Sequence, residues 1–343
     1  MEKYHINTNF KNTKDKDYSI SFARFMATIF IFLCHYYQYY CDGLTFWFNV
    51  SVQMFFFISG LLYANRKIDD PIAFLIKGFK KILVPYYIYV IIACIIGRIF
   101  IPSDCTWHIV LKLVCLDAEG SYMALNNLWF ISHILFCYIM TPLFLKWLDY
   151  VETKKPIEVF VIVCLTMLGI LVFFYNYGTY YKPWDTLCFF FGLIYGRMAK
   201  NVKSIWLSIL NVFIILAALL MKIVYVIGDS RYKDYINANG YGELHYQLYK
   251  ISHAFLGVAI IIVLVYIYKF VRSRFQLIGF EKLLKQSDRF SYYIYLTHQI
   301  FLLGAFSVCG IFANKFIALI VAIMGTALAT GCLYILSQRV LKK

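Results

Sequence analysis

Apolar residues gather in ten long blocks along the chain, separated by shorter stretches that carry most of the charges. The blocks cover roughly 19–40, 44–64, 82–101, 126–148, 157–177, 184–199, 205–227, 246–268, 289–312 and 315–336. Most are long enough to cross a bilayer as a helix, which takes about 20 residues. Their apolar positions are continuous rather than alternating, which disfavours a β-barrel. The pattern therefore predicts an all-α, polytopic membrane bundle of about ten transmembrane helices.

Composition supports a membrane protein. Hydrophobic residues make up 62% of the 343 positions and charged residues only 15%, whereas soluble domains are about half apolar. The formal net charge of +15 is also compatible with nucleic-acid binding. However, the basic residues lie in alternating loops rather than in one patch, so we expect the lipid bilayer and not nucleic acid as the partner.

The basic residues also predict the topology. With the N-terminus placed inside, 25 of the 33 Lys and Arg residues fall on the inner side, in segments 1–24, 66–81, 146–155, 197–203, 269–289 and 339–343. Inner loops of membrane proteins carry this excess, so both termini are expected in the cytoplasm. The first apolar block is too long for a signal peptide and is expected to be retained. The chain is divided into a tail (1–18), a membrane domain (19–338) and a second tail (339–343).

Ionisable side chains inside spans are costly and often functional. The candidates in the predicted spans are Arg24, His35, Arg98, His133, Asp185, Lys222, His253 and His298. Arg98 and Lys222 lie near predicted span ends, where long basic side chains can reach the interface. Asp185 follows Pro183 at a span start and is expected to cap the helix. His133 and His253 are either core histidines or functional groups.

Arg24 and His35 lie eleven residues apart in the first block. At about 100° and 1.5 Å per residue, a helix places them on one face, about 16 Å apart along the axis. A cation at the inner mouth and a titratable base deeper in the membrane indicate a path through this span. The alternative is an arginine that reaches the interface and an unrelated core histidine.

The cysteines indicate no metal centre. No pair of Cys or Cys and His residues has metal-ligand spacing, and nucleotide-binding motifs such as the P-loop do not occur. Cys105 and Cys115 share a predicted outer loop, where they are either bonded to each other or two free thiols.

Six segments, in order along nearly the whole chain, carry a resemblance to a known family. They are RFMATIFIFLCH (24–35), VSVQMFFFISGLL (50–62), KGFKKILVPYY (77–87), NLWFISHILFCYIMTPL (127–143), FFFGLIYGR (189–197) and FSYYIYLTHQ (290–299). Together they resemble the acyltransferase-3 family of bacterial integral-membrane acyltransferases, whose first span has an Arg and a His separated by ten residues. Two departures stand out. Many members have an acidic residue where this chain has Gln53, and an Arg-x-x-Arg cluster where it has lysines, which lack the bidentate fork of arginine.

The resemblance implies an enzyme of the bacterial plasma membrane. Family members move an acyl group, usually acetyl, from cytoplasmic acyl-CoA to a hydroxyl of a surface polysaccharide or glycolipid. On this basis His35 is expected to act as the general base, and Arg24 is expected either to fix the donor or to stabilise the charge that develops there. The basic rim of Arg66, Lys77, Lys80 and Lys81 is expected to hold the phosphates of CoA, although topology alone also accounts for these charges. The remaining expected pocket residues are His298, Trp129, Asn127 and Ser59.

A carrier or exporter of polysaccharide or small molecules from the same membrane superfamily is the main alternative. In such a protein the histidines would relay protons, and no acyl group would be transferred.

Overall fold

The computed structural model describes residues 17–103, 106–116, 125–177 and 183–342. Within these ranges the chain is almost entirely helical and contains no strand. The helices are α1 (Ser19–Tyr39), α2 (Leu44–Phe48), α3 (Ser51–Tyr63), α4 (Pro71–Phe100), α5 (Trp107–Val114), α6 (Trp129–Val151), α7 (Pro156–Tyr177), α8 (Pro183–Asn201), α9 (Ser204–Arg231), α10 (Lys233–Ala238), α11 (Gly242–Arg274), α12 (Ile278–Leu302) and α13 (Lys315–Leu341). Short 3₁₀ turns cover Asn126–Leu128 and Val308–Gly310. Cys105 lies outside the described residues, so the choice between a bond to Cys115 and two free thiols stays open.

Seven stretches of the described chain are long and apolar enough to cross a membrane. They are Ser19–Tyr39, Leu44–Tyr63, Pro71–Phe100, Asn126–Val151, Ser204–Arg231, Gly242–Arg274 and Lys315–Leu341. The predicted fold class, a polytopic helical membrane bundle, is therefore confirmed. The other three predicted blocks lie in α7, α8 and α12, and the total of about ten spans stays a prediction.

Helix α4 begins well before the apolar block that predicted it. Asp70 caps the helix, because its carboxylate accepts a hydrogen bond from the Ala73 amide at 3.0 Å, and Pro71 occupies the first helical position. Proline is favoured there because the missing amide hydrogen has no partner to lose. Lys77, Lys80 and Lys81 thus lie on a helix and not in a loop.

Helix α12 ends about ten residues earlier than its apolar block. Gly304 has a φ of +78°, in the left-handed region that ends helices and that glycine adopts without strain. The Ser307 hydroxyl then donates to the Leu302 carbonyl at 2.7 Å and satisfies one of the free acceptors at the helix end. The apolar residues after Leu302 therefore form a turn, which hydrophobicity alone does not indicate.

The chain forms two compact units. Among the described residues, unit 1 contains the chain up to Ala27, Val50–Lys67 and Leu143–Leu284. Unit 2 contains Thr28–Asn49, Ile68–Pro142 and the chain from Lys285 onwards. Helices α1, α6 and α12 each contribute residues to both units.

Unit 1 is organised around close packing of α3 against α8. A Cβ atom at Gly60 of α3 would lie 2.0 Å from the Phe189 carbonyl oxygen, and one at Gly192 of α8 would lie 2.3 Å from that of Phe57. Backbones this close need glycine, as is typical of helix pairs in membranes. Helix α8 is consequently among the most buried helices of the unit, although its apolar block is the shortest in the sequence.

Unit 2 contains the C-terminal half of α1, most of α12, α4 and α13. An apolar cluster joins three of these helices and the turn after α12; it consists of Phe32, Tyr36, Leu302, Cys309, Ala318 and Ala322. The Tyr36 hydroxyl donates to the Lys315 carbonyl at 2.8 Å, and that of Tyr292 on α12 donates to the Ile82 carbonyl on α4 at 2.8 Å. These hydrogen bonds link α1 to α13 and α12 to α4.

Candidate active site

The most prominent polar site of unit 2 is a pair of histidines on α1 and α12. The imidazole rings of His35 and His298 have centroids 5.2 Å apart, with 38° between the ring planes. His298 is completely buried, and His35 is partly exposed. The two residues are 263 positions apart in the sequence, so the fold brings together the two histidines that the resemblance selected.

Hydrogen bonds assign the same tautomer to both rings. His35 Nδ1 lies 2.8 Å from Gln38 Oε1, and His298 Nδ1 lies 2.8 Å from the Tyr295 carbonyl oxygen and 3.0 Å from that of Ile294. Amide and carbonyl oxygens only accept, so Nδ1 carries the proton in both neutral rings. Each Nε2 atom then has a lone pair available. Nε2 of His298 is buried and has no hydrogen-bond partner among the described residues.

Asn127, in the 3₁₀ turn before α6, is bound tightly to the same stretch of α12. Its amide Nδ2 donates to the Tyr295 carbonyl at 2.7 Å, and its backbone amide donates to Gln299 Oε1 at 3.1 Å. The Tyr295 hydroxyl donates to the Asn127 carbonyl. Asn127 Oδ1 is buried and, within the described chain, has no partner. His298 Nε2 and Asn127 Oδ1 are therefore two buried acceptors that can each bind a donor from a ligand.

Trp129 begins α6 directly after this turn and packs edge-on against His133, with ring centroids 5.0 Å apart. His133 is buried, and its Nδ1 bonds the Trp129 carbonyl at 2.8 Å. The interpretation of His133 as a core histidine fits this geometry. Trp129 follows Asn127 by two residues, so the predicted pocket residues of unit 2 share one region.

The lysines of the basic rim lie near the start of α4, and all three are exposed. Lys81 immediately precedes Ile82, whose carbonyl accepts from Tyr292 of α12. Tyr292 is six residues before His298, a distance of about 9 Å along a helix. Unit 2 therefore contains both the exposed lysines and the histidine pair, and the Tyr292 contact with α4 lies nearly two turns of α12 before His298.

The other predicted site residues belong to unit 1. Arg24 is a partly exposed residue of α1, three turns before His35, and Ser59 is a partly exposed residue of α3. Arg66 is exposed after α3, with its guanidinium carbon 4.8 Å from the centre of the Tyr63 ring.

Two further predictions concern charged residues of unit 1. Lys222 was expected to reach the interface, but it is only 2% exposed, and its Nζ lies 3.1 Å from His253 Nε2. This expectation was wrong because α9 continues nine residues beyond Lys222. Asp185 lies in the first turn of α8, where it accepts a hydrogen bond from Gln53 Nε2 at 2.6 Å.

Sequence reasoning missed the residues that orient the histidines. Gln38, which fixes the tautomer of His35, lies three positions later on the same helix, a spacing at which side chains meet. Tyr295, whose carbonyl accepts from His298, carries little information in the sequence because tyrosine occupies 30 of the 343 positions. Gln299, which accepts from the Asn127 amide, directly follows His298.

The comparison with known families identifies the class of protein. The acyltransferase-3 model, described as an acyltransferase domain, matches residues 17–337, which is nearly the whole chain. The protein therefore belongs to the acyltransferase-3 family and is a multi-pass membrane acyltransferase. No curated protein and no solved structure gives a significant match.

Proposed function

We propose that this protein is an O-acetyltransferase of the bacterial plasma membrane. It takes the acetyl group from cytoplasmic acetyl-CoA and places it on a hydroxyl of a cell-surface polysaccharide or glycolipid. The observation that carries this proposal is the His35 and His298 pair, with Nε2 of each ring free to accept a proton. The family match over residues 17–337 supports acyl transfer as the reaction class.

The acceptor side of the reaction needs groups that bind hydroxyls. His298 Nε2 and Asn127 Oδ1 are buried acceptors without a partner in the described chain. A buried acceptor left unsatisfied costs about 1–3 kcal/mol, so a hydroxyl-bearing molecule that donates to it recovers this energy. Several acceptors in one region are complementary to a sugar, which presents several hydroxyls.

In the transfer step, His35 Nε2 removes the proton from the acceptor hydroxyl. Imidazole titrates near neutral pH, which suits a general base. The resulting oxygen nucleophile attacks the thioester carbonyl carbon and forms the new ester bond. The carbon–sulfur bond then breaks, and the imidazolium returns its proton to the departing thiolate of CoA. Gln38 Oε1 accepts from Nδ1 of His35, so Nε2 is the nitrogen that takes up and returns the proton.

Basic side chains would bind the donor, acetyl-CoA. Exposed Lys77, Lys80 and Lys81 on α4 are suited to the phosphates of CoA, which lysine contacts as a point charge. For Arg66 and Arg24, both in unit 1, donor binding stays a prediction from the sequence. Acetyl-CoA is thus a donor substrate that dissociates as CoA after each turnover.

The experiment compares acylation in cells that carry the parent protein or His35→Ala at equal membrane levels. We expect His35→Ala to lower the rate of acetyl transfer by about 10²–10⁴-fold, the usual cost of losing a general base. The acetyl content of surface glycan should fall accordingly. His35→Gln should fail as well, because an amide forms hydrogen bonds but does not accept the proton. Full acylation in the His35→Ala strain would remove this residue from the mechanism.

The exporter alternative makes a different prediction. Purified protein in lipid nanodiscs, given acetyl-CoA labelled in the acetyl group, should release CoA at a rate that depends on His35. An exporter would release none, and its transport of glycan would not require acetyl-CoA.

A further inference from the structure

Unit 1 contains a second buried pair of basic side chains, far along the sequence from the histidines of the proposed reaction. Lys222 of α9 and His253 of α11 are 2% and 1% exposed, and their nitrogens Nζ and Nε2 lie 3.1 Å apart. Both helices are long and apolar enough to span the membrane. Ionisable groups at such positions are expensive, and they usually have a function. The proposed acyl transfer uses neither of them.

The hydrogen bonds define where a proton lies in this pair. His253 Nδ1 is 2.8 Å from the Tyr249 carbonyl oxygen, which only accepts, so Nδ1 carries a hydrogen. Nε2 therefore offers its lone pair to Lys222 Nζ, which donates. An ammonium and a neutral imidazole in this arrangement share one excess proton: it forms an N–H bond either to Nζ or, after transfer, to Nε2.

Tight packing limits which ligand could reach the pair. One turn after His253, Gly257 lies against α3, where a Cβ atom would be 3.0 Å from Gln53 Cβ and 3.1 Å from the Val50 carbonyl oxygen. With both basic side chains almost completely buried, an organic anion or a metal ion would have to separate the helices. A proton needs no such opening, because it can pass between side chains that already touch.

Other titratable groups of unit 1 surround the pair. On α11, His245, Tyr249 and His253 follow each other at four-residue spacing, which places them on one face of the helix. The Tyr249 ring lies 4.1 Å from that of His253 and 5.2 Å from that of Tyr225 on α9, and Tyr225 stacks on His245 at 4.7 Å. Among charged residues, Asp229 on α9 interacts with Tyr225, and Lys250 on α11 lies over the Tyr249 ring. Helix α8, which contacts both α9 and α11, carries the buried Asp185. This stripe of proton-bearing groups leads from the partly exposed His245 to the buried pair.

We propose that Lys222 and His253 form a proton-binding site within the membrane-spanning part of unit 1, separate from the histidines that carry acyl transfer. Water at the end of α11 supplies the proton and receives it again. When the proton is bound, a charge-assisted hydrogen bond joins α9 to α11; after its release, only a weaker neutral bond remains, about half as strong. Proton binding is thereby coupled to the contact between these two helices.

The test is nitrogen NMR of the full chain in nanodiscs, with lysine and histidine labelled with ¹⁵N. Lys222→Met, whose side chain is similar in length but apolar, identifies the Lys222 signal by its loss. We expect this signal to change from ammonium to amine between about pH 5 and pH 10, and the His253 Nε2 signal to move in the same pH interval. An Nζ signal that stays ammonium throughout would overturn the proposal.

Two variants sharpen the measurement. His253→Gln keeps an acceptor for Lys222 but removes the second proton-binding nitrogen, so the midpoint of the Lys222 transition should shift by about one pH unit or more. Lys269→Met, which removes a lysine sixteen residues after His253 on the same helix, about 24 Å along its axis, should leave that midpoint unchanged. An identical midpoint with and without His253 would mean that the pair is a fixed structural bond. If His253→Gln does not fold, independent movement of the two signals in the parent protein would overturn the proposal equally well. None of these readouts requires acyl transfer.

Discussion

At the scale of single residues, the two histidines of unit 2 were identifiable in the sequence, whereas their chemistry was not. His35 was selected by its spacing from Arg24, and His298 was selected by the family resemblance of segment 290–299. Their tautomers depend on Gln38 and on the Tyr295 carbonyl, and a sequence does not indicate which carbonyl a ring nitrogen meets. The pairing of Lys222 with His253 was missed as well, because the sequence does not indicate that these two side chains meet.

His298 allows its two ring nitrogens to be tested separately. An Asn side chain can place its amide nitrogen where Nδ1 lies, and a Gln side chain can place its amide group where Nε2 lies. We expect His298→Asn to keep the bond to the Tyr295 carbonyl, fold normally and lose most transfer activity. His298→Gln should retain more acceptor binding, since its amide oxygen accepts from a hydroxyl. The measurement is kcat and KM for the glycan acceptor, with thermal stability in detergent as the control.

Equal kinetics for His298→Asn and the parent protein would show that Nε2 of His298 takes no part in acceptor binding. The role of His35 would be unaffected by that result.

At the scale of helices, apolar blocks predicted where helices form but not all of their ends. The ends depend on Asp70 and Pro71 at the start of α4 and on Gly304 and Ser307 after α12. These polar and turn residues lie outside the apolar pattern. Block 184–199 is the shortest of the ten, yet α8 packs closely in unit 1 because its glycines admit the backbone of α3. The length of an apolar block does not indicate how closely its helix packs against another.

The contact between α3 and α8 predicts a strong effect of a single methyl group. In Gly192→Ala the new Cβ would lie 2.3 Å from the Phe57 carbonyl oxygen, so the helices must move apart, at a cost of about 1–3 kcal/mol or more. Gly169→Ala on α7 is the matched control, because nothing lies within 4 Å of its Cβ position. Thermal unfolding in detergent should show a lower melting temperature for Gly192→Ala only. Equal melting temperatures would contradict the close approach of the two helices.

The position of the lysines on α4 predicts a defect in donor binding. Changing Lys77, Lys80 and Lys81 together to Ala should raise KM for acetyl-CoA roughly 10- to 100-fold and change kcat little. Exposed charge pairs contribute about 0.5–1 kcal/mol each, and three of them give this factor. The control removes three other exposed lysines, Lys200, Lys203 and Lys282. If both triple variants have the same KM, the rim is a topology signal and not a donor site.

At the scale of the whole molecule, the number of crossings decides where the termini lie. Ten spans place both ends on one side of the membrane, whereas seven would place them on opposite sides. The distribution of 25 of the 33 Lys and Arg residues favours ten crossings, with both ends in the cytoplasm. In this arrangement α7, α8 and α12 cross the membrane as well. Helices α8 and α12 carry polar side chains, whose hydrogen bonds within the membrane must then come from neighbouring helices.

Single cysteines test this topology in a chain whose own exposed cysteines have been replaced by serine. Cysteines placed at Lys342, at the end of α13, and at Asn239, between α10 and α11, should behave oppositely towards a thiol reagent that does not cross membranes. In intact spheroplasts Asn239→Cys should react and Lys342→Cys should not; in inverted vesicles the pattern should reverse. Labelling of Lys342→Cys from outside would mean an odd number of crossings if the N-terminus is inside. It would also place the C-terminal basic residues on the outer side, against the charge rule that predicted the topology.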